Sequence, residues 1–138
     1  MRSKLFRQVH PSHLINGLSS GAFRPTPNDE EKLSVDCASM TSAKASYELH
    51  LQKTKVLPSG DRVPLETSGT WAINRDICAT ENLPVVADPI ENEPFQPNNL
   101  AHHLVDFSTT ISSASKKNIA KRLRLKALEF GKLWPEGD

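Results

Sequence analysis

Short runs of apolar residues, several of them alternating with polar ones, recur along this chain between proline, glycine and asparagine. The clearest runs are residues 5–9, 33–35, 70–73, 84–87 and 103–107. A period of two places apolar side chains on one face of a β-strand, and turn residues at its ends keep the strand short. The pattern therefore predicts short strands, with a further extended piece that ends at Pro25.

Helical spacing predicts three helices. Thr41 is expected to cap a helix over residues 41–54, and Asn74 to cap a two-turn helix over residues 75–82. The last helix covers about residues 115–131, with Ser115 as its N-cap and Gly131 at its end. The apolar face of the first helix is predicted to be Ala43, Tyr47, His50 and Leu51.

Apolar residues occur on two sides of the predicted C-terminal helix. Its core face is expected to be Ile119, Ala120, Leu123, Ala127 and Phe130. At 100° per residue Leu125 and Leu128 project from roughly the opposite side. We therefore predict a second contact surface at Leu125, Leu128 and the neighbouring Arg124, where a protein partner or a second copy of the chain would bind.

The arrangement of strands and helices predicts an α+β fold. We expect one domain over residues 1–138, with a small mixed sheet covered by the first and last helices. A length of 138 residues, 37% hydrophobic content and a net charge of +1 are typical of a soluble globular domain. No stretch has the apolar length of a signal peptide or a membrane span, so the prediction is a cytoplasmic protein without membrane contact.

Residues 10–30, HPSHLINGLSSGAFRPTPNDE, combine two histidines, a turn of small residues and an acidic, proline-containing elbow. Ser12 can cap one helical turn over residues 12–17, and residues 26–32 are expected to form the solvated elbow. We predict that this segment folds the chain back and lays strand 5–9 beside strands near Phe23 and Val35. A binding site would then border the turn.

Charge is distributed unevenly along the chain. Residues 116–138 hold seven Lys or Arg and three acids, whereas residues 1–115 hold ten and thirteen. Cations beside an amphipathic helix explain most of this excess, because they solvate its flanks and favour its C-terminal end. Nucleic acid is not an expected partner, since the basic residues lie on both flanks of the core face without interleaved aromatic residues.

Histidine and cysteine give weak signals for chemistry. His10 and His13 could present two metal ligands from one turn, but the prediction is no metal site and no cofactor. The adjacent pair His102 and His103 is expected to place one ring in the interior and the other in water, because neighbouring strand residues point to opposite faces. The two cysteines, Cys37 and Cys78, form no CxxC pair and are predicted to be reduced and partly buried, although one disulfide is not excluded.

Known catalytic motifs are absent from the sequence. Ser19 and Ser20 precede Gly21 without the G-x-S-x-G elbow of hydrolases, and neither GxxxxGK[ST] nor GxGxxG occurs. No local arrangement supplies a histidine to activate Cys37 or Cys78. These absences favour a non-enzymatic protein.

The order Arg7, Arg24, Ser34 resembles ADP-ribosyltransferase-like proteins, in which an Arg or His on the first strand and a later Ser or Thr hold NAD while an acid assists transfer. The resemblance covers about the first half of the chain. It implies a nucleotide-handling enzyme that uses Arg7, His10, Arg24 and Ser34. No glutamate lies on a clear C-terminal strand, so Asp88 or Asp106 would have to replace the acid.

A second pattern is similar to small uncharacterised bacterial proteins. It consists of histidine and proline near the start, then S-x-A-F-R-P-T-P-x-D-E and L-S-V, which here are His10-Pro11, residues 20–30 and residues 33–35. That resemblance implies a bacterial or phage-related cytosolic protein and no particular activity.

From the sequence we expect a small binding or accessory protein that acts through a protein partner or self-association. One alternative is the nucleotide-handling enzyme, which requires a pocket lined by Arg7, His10, Arg24 and Ser34. A second alternative is a metal-binding protein that uses His10 and His13.

Overall fold

Strands and helices form at most of the predicted places in the computed structural model, which describes residues 4–25, 30–110 and 112–135. The strands are β1 (Lys4–Val9), β2 (Lys32–Cys37), β3 (Thr54–Val56), β4 (Arg62–Pro64), β5 (Gly69–Asn74), β6 (Val85–Ala87) and β7 (His102–Asp106). The helices are α1 (Ala43–Leu51), α2 (Arg75–Thr80) and α3 (Ser113–Phe130), with 3-10 turns η1 (Pro11–His13) and η2 (Ser20–Phe23).

Five strands form one sheet in the order β5-β1-β2-β7-β6, and β3 and β4 form a separate hairpin. The α+β fold class and the two main helices are confirmed. Each pairing between these strands is antiparallel, so the sheet that was expected to be mixed is uniform in the described part of the chain. β1 lies between β2 and β5, with Leu5 opposite both Cys37 and Ile73.

One face of the sheet is apolar and packs against α3. Strand residues on this face are Leu5, Val9, Leu33, Val35, Ile73 and Val105. They form one buried cluster with the helix residues Ile119, Ala120, Leu123 and Ala127. The predicted core face of α3 is confirmed for these four residues, whereas Phe130 is only partly buried and carries the Lys4 ammonium 4.7 Å from its ring centroid.

α3 begins earlier than predicted. Ser112, not Ser115, is the N-cap, and its hydroxyl accepts a hydrogen bond from the Ser115 N–H at 3.1 Å. The predicted end at Gly131 is confirmed, since Gly131 lies beyond the last turn with φ +76°, a value that glycine adopts without strain.

The opposite face of the sheet is polar, and α1 covers part of it. Ser42 caps this helix in place of the predicted Thr41, and the helix ends at Leu51 instead of Thr54. Its buried residue is Ser46, whereas the predicted apolar face is half-buried and Leu51 is exposed. The prediction of that face was wrong because α1 contacts hydrogen-bonding side chains of the sheet rather than an apolar surface.

Residues 10–25 turn as predicted, but they do not add a strand. The segment near Phe23 forms the 3-10 turn η2, and the Ser19 hydroxyl accepts from the Gly21 N–H. Phe23 and Ala22 are buried in the apolar core, which holds the turn in place. His10 rather than Ser12 caps η1. Residues 26–29 of the predicted elbow lie outside the described residues.

Three further predictions concern the second half of the chain. Asn74 caps α2 as expected, with its Oδ1 accepting from the Asp76 N–H at 2.7 Å. Residues 57–69, predicted to be a loop, contain β4, which pairs with β3. The strand predicted as buried over residues 84–87 exposes Val86, because β6 is at the edge of the sheet.

The segment after α3 lies along the other edge of the sheet. The Thr70 N–H donates to the Trp134 carbonyl at 2.7 Å, and the Leu133 N–H donates to the Thr70 carbonyl at 2.8 Å. Gly69 has φ +155°, and a Cβ at this position would lie 2.8 Å from the Lys132 side chain and 3.0 Å from the Trp134 carbonyl. The sequence therefore needs glycine where the C-terminal segment passes β5.

Cys37 and Cys78 are both free thiols and both buried. Burial raises the pKa of the Cys78 thiol to about 11, so it is neutral at ordinary pH. Among the described residues no helix combines the length and the apolar character that crossing a bilayer requires.

Candidate functional site

A series of hydrogen-bonded polar side chains crosses the face of the sheet beneath α1. Thr67 Oγ1 donates to Gln8 Oε1 at 2.9 Å, and the Gln8 amide donates to Ser46 Oγ at 3.0 Å and to Thr70 Oγ1 at 2.7 Å. Ser46 in turn donates to Asp36 Oδ2 at 2.7 Å. The bonds fix α1 against β1, β2 and β5, and we call these residues, together with Asn99, the polar network.

Asp36 lies at the end of the polar network and is only 9% exposed. Its second oxygen, Oδ1, accepts from Asn99 Nδ2 at 2.8 Å, and Asn99 Oδ1 accepts from the Ala101 N–H. An ionised carboxylate offers about four acceptor sites, so two protein donors leave room for further donors. Asp36 lines a cavity and can therefore accept from a ligand there.

His102 lies opposite Asp36 in the register of β2 and β7. Its Nδ1 is 3.0 Å from the Asp88 carbonyl oxygen and 3.1 Å from the Asp88 carboxylate. Both partners only accept hydrogen bonds, so Nδ1 carries the proton and Nε2 is the acceptor atom of the neutral ring. His102 thus adds a second oriented polar group to the cavity that Asp36 lines.

His102 and His103 are both buried, at 6% and 7% exposure, so the prediction that one ring lies in water was wrong. The two rings point to opposite faces as expected, but both faces of β7 are covered. His103 Nδ1 donates to the Ala101 carbonyl at 2.8 Å, which satisfies the ring in the interior.

Two adjoining pockets between α1 and the sheet form what we call the α1 cleft. The inner pocket has a volume of about 220 Å³ and the outer pocket about 240 Å³. They share the walls Arg7, Gln8, His50 and Leu65. The inner pocket is further lined by Phe6, Ser34, Val35, Asp36, Ser46, Leu49, Lys53, Asn99 and His102. The outer pocket is further lined by His10, His13, Ala22, Lys55 and Glu66.

Arg7 connects the two pockets at the point where the paired part of β1 and β2 ends. The pairing includes Phe6 opposite Asp36, and the next residue, Arg7, donates from Nη1 to the Ser34 carbonyl at 3.0 Å. Its Nε donates to the Ala22 carbonyl of η2 at 2.9 Å. These bonds hold a guanidinium cation in a fixed orientation in the wall of the cleft.

Two histidines occupy the outer pocket. His10 Nδ1 accepts from the Ser12 N–H at 3.1 Å, which leaves Nε2 as the protonated nitrogen of the neutral ring, 3.7 Å from the Glu66 carboxylate. The pKa of His13 is lowered by burial and by the nearby Arg7 and His10. Gly21 packs against the His13 ring, since a Cβ there would lie 3.2 Å from Cε1. The small-residue turn therefore makes space for an imidazole.

Burial also affects the titration of two groups on the α1 side of the cleft. It lowers the pKa of His50 to about 4, with further lowering by Lys53 and Arg7. Burial lowers the pKa of Lys53 as well, against the opposing effect of Asp36. His50 is thus neutral at pH 7. Apart from the imidazoles, the charged side chains that line the cleft are Arg7, Lys53 and Lys55 against Asp36 and Glu66.

The structure brings together some of the predicted ligand-binding residues. Arg7 and Ser34 line the inner pocket, and Arg7 and His10 line the outer pocket. Arg24 follows η2 and lines neither pocket. The four residues of the nucleotide-handling hypothesis therefore do not form one complete set.

Sequence reasoning missed Asp36, His50, Lys53 and Asn99. In the run Leu33-Ser34-Val35-Asp36, Asp36 falls on the same polar face as Ser34, which is a signal for a shared site. His50 and Lys53 are three residues apart at the end of α1. His50 was assigned to the apolar face of the predicted helix, and Lys53 to the last turn of that helix. Asn99 lies in the proline-rich crossing segment, where no periodicity identifies a buried residue.

Nothing in the described residues gathers three or more His, Cys, Asp or Glu side chains that could hold a metal ion. His10 and His13 both line the outer pocket, but each also has a local contact. His10 caps η1, and the His13 ring packs against Gly21. Cys37 accepts from Arg75 Nη1 at 3.8 Å and lies 3.1 Å from the Ser39 hydroxyl.

The predicted second surface of α3 consists of Leu125 and Leu128, which are 57% and 42% exposed. Arg124 lies differently, because its Nε donates to the Leu18 carbonyl and joins α3 to the loop before η2. Arg122 forms an ion pair with Glu81, and this hydrogen-bonded contact lowers the pKa of the Glu81 carboxyl. The exposed leucines are thus flanked by arginines that have partners within the chain.

The chain matches no protein-family model, no curated protein and no solved structure. The two resemblances therefore stay predictions.

Proposed function

We propose that this chain is a binding protein for a small anionic ligand, which it holds in the α1 cleft. The observation that carries the proposal is the meeting of Arg7, His10 and His13 with Lys55 around one recess beside a buried polar floor. Ligand sites are typically concave, with apolar walls and a few fixed polar groups, and the cleft has this composition.

Electrostatics favours an anion. Three formal cations line the cleft against two carboxylates. One carboxylate, Asp36, already accepts two hydrogen bonds from the protein, and the other, Glu66, has a side chain 63% exposed and hydrated. The imidazoles of His10 and His13 add positive charge when they are protonated. An anion also benefits from the fixed orientation of Arg7, because little ordering is needed on binding.

The sequence-based preference for a non-enzymatic role is kept in this proposal. The cleft offers hydrogen-bonding groups and cations, whereas no nucleophile with an adjacent base and a stabilising group is defined by its geometry. The ADP-ribosyltransferase-like alternative would require Arg24 in the cleft, where it does not lie.

Calorimetric titration with inorganic pyrophosphate tests the proposal. Wild-type protein should bind saturably with an affinity that falls as salt is added, because the contact is ionic. Lys55→Gln should weaken binding about fivefold, the loss of one partly exposed charge contact of about 1 kcal/mol. The matched control Lys117→Gln changes an exposed lysine on α3 and should bind as wild type.

The proposal fails if wild-type protein shows no saturable heat up to millimolar pyrophosphate. It also fails if Lys117→Gln weakens binding as much as Lys55→Gln does, because the attraction would then be a property of the whole surface.

A second candidate function is binding of an acidic protein partner at Leu125 and Leu128, which are exposed side by side on one face of α3. Lys117 and Lys121 are exposed on the same helix, and the tail segment has an excess of positive charge. A partner with a complementary acidic surface fits this charge better than a second copy, which would carry the same cations.

Sedimentation of the full chain, with and without a synthetic acidic amphipathic helix, tests this candidate. Leu125→Glu with Leu128→Glu should leave the unfolding temperature unchanged and remove binding of the acidic helix. A wild-type chain that binds a charge-reversed helix equally well, or that forms a dimer which the variant loses, would contradict the acidic-partner proposal.

A further inference from the structure

The two ends of the α1 cleft differ in chemistry. The inner pocket has apolar walls at Phe6, Leu49 and Leu65 above the acceptors Asp36 and His102. The outer pocket lacks Phe6 and Leu49 and is lined by Arg7, Lys55 and three imidazoles, whereas the inner pocket carries Arg7 and Lys53 beside its apolar walls. We propose that the anionic ligand is a nucleoside phosphate, with its base in the inner pocket and its phosphate in the outer pocket. This inference rests on the proposed function and specifies the ligand class.

The inner pocket suits a planar, uncharged heterocycle. Its volume of about 220 Å³ is below the range of about 300–1,000 Å³ typical of drug-sized ligands, so it holds one part of a ligand such as a base. Apolar side chains can contact the ring faces, while the two remaining acceptor sites of Asp36 can accept from ring N–H and exocyclic amine groups.

The surroundings of Asp36 favour a neutral donor over a ligand ammonium group. Lys53 and Arg7 both line the inner pocket with Asp36, and Lys53 interacts electrostatically with both Asp36 and Arg7. A ligand cation would be repelled by these two residues, whereas the N–H groups of a neutral base are not. Arg7 also lines the outer pocket, where it adds to the attraction for phosphate.

The outer pocket suits phosphate because its donors come from several directions. Arg7 is held by the carbonyls of Ala22 and Ser34. His10 is the N-cap of η1, and His13 is its last residue. Lys55 comes from β3 on the α1 side. Donors from three separate segments can surround a tetrahedral anion, and Arg with Lys is a common set for phosphate.

The size of the cleft favours a mononucleotide over NAD. The inner and outer pockets, about 220 and 240 Å³, accommodate one base and one phosphate group. A dinucleotide carries a second base and ribose, which exceed what these two pockets hold. The ligand is therefore smaller than the one that the ADP-ribosyltransferase resemblance implies.

Calorimetric titration of the full chain with three ligands tests the inference. Guanosine 5′-monophosphate should bind about tenfold more tightly than ribose 5-phosphate, which has the same phosphate but no base. This ratio is expected because contacts to a base contribute about 1–3 kcal/mol. Purine riboside 5′-monophosphate, which lacks the amine and ring N–H donors, should bind with an intermediate affinity.

Two variants locate the base and the phosphate. Leu49→Ala removes an inner wall and should reduce the preference for the nucleotide over ribose 5-phosphate, without changing the affinity for ribose 5-phosphate. Leu51→Ala, an exposed position on the same helix, is the matched control and should bind as wild type. Lys55→Gln should lower the affinities for the nucleotide and for ribose 5-phosphate by the same factor.

Equal affinities of wild-type protein for ribose 5-phosphate and the nucleotide would overturn the inference and leave the proposed anion binding intact. NAD binding more tightly than the mononucleotide would also overturn it, as would an equal loss for both ligands in Leu49→Ala. If neither pyrophosphate nor any of these ligands binds, the proposed function itself fails.

Discussion

The two faces of the five-stranded sheet are stabilised in different ways. The face against α3 is filled by apolar side chains, Phe23 and Phe107 among them, which form one buried cluster. The face beneath α1 is held by directional bonds that run from Thr67 to Asp36 and leave the α1 cleft beside them. Hydrophobic packing tolerates no empty space, whereas a hydrogen-bonded face can keep fixed groups around a cavity. The polar face beneath α1 is therefore the face on which a binding site is expected.

The largest expected effect is a loss of packing on the apolar face. Leu123 is 0% exposed in the middle of α3, so Leu123→Ala removes buried methyl groups and leaves a cavity. We expect the free energy of unfolding to fall by about 2–5 kcal/mol in urea denaturation. The same change at exposed Leu125 is the control, with an effect within about 0.5 kcal/mol. Equal losses at both positions would mean that α3 does not pack as described.

A smaller but clear effect is expected from the buried carboxylate of the polar face. Asp36→Ala removes the acceptor of Ser46 and Asn99, and should lower the free energy of unfolding by about 1–3 kcal/mol. Ser34→Ala changes an exposed residue of the same strand and face, and should be nearly neutral. A neutral Asp36→Ala would show that the polar network does not hold α1 in place.

Double-mutant cycles compare the faces directly. Gln8→Ala and Ser46→Ala remove two partners of one hydrogen bond, so their effects should be non-additive by about 1 kcal/mol. Ser46→Ala with Leu123→Ala combines changes on opposite faces and should be additive to within about 0.5 kcal/mol. A coupling energy well above about 0.5 kcal/mol between Ser46→Ala and Leu123→Ala would contradict the independence of the two faces.

A further expected effect depends on pH and comes from His50 on the polar face. His50 has a pKa of about 4 in the folded protein against an ordinary value of 6.5, so the unfolded chain binds more protons between these values. The free energy of unfolding should therefore decrease as the pH falls from 6.5 toward 4. His50→Gln should reduce this slope, whereas Leu51→Ala on the same helix should keep it. An unchanged slope in His50→Gln would contradict the burial of His50.

The sequence was sufficient to predict the apolar face and much of the fold. Alternation identified β1, β2, β5 and β7, and helical spacing identified the core residues Ile119, Ala120, Leu123 and Ala127 of α3. These patterns can be predicted because they depend on neighbouring residues only, and because an apolar face must be buried. Cap positions shifted from Thr41 to Ser42 and from Ser115 to Ser112, because neighbouring serines and threonines can serve equally well as caps.

The polar face was predicted only in part. Arg7, His10, His13 and Ser34 were identified as unusual, but alternation alone does not tell whether α1 or water covers a polar residue. One ring of the pair His102 and His103 was expected to lie in water, yet both are buried. The loop before β7 covers His102, whose Nδ1 lies 3.0 Å from the Asp88 carbonyl oxygen. Asp36 meets Asn99 across a long separation in sequence, which no local pattern reports.

The position of β1 between β5 and β2 has a consequence for synthesis of the chain. β1 ends at Val9, and its neighbour β5 begins at Gly69, so the ribosome must add about 60 residues before that side of β1 can pair, roughly 3 to 12 seconds at usual elongation rates. During this interval β1 can pair with β2, through the short register at Leu5 and Phe6. β1 therefore gains its pairing with β5 only after α1 and the β3–β4 hairpin have been made.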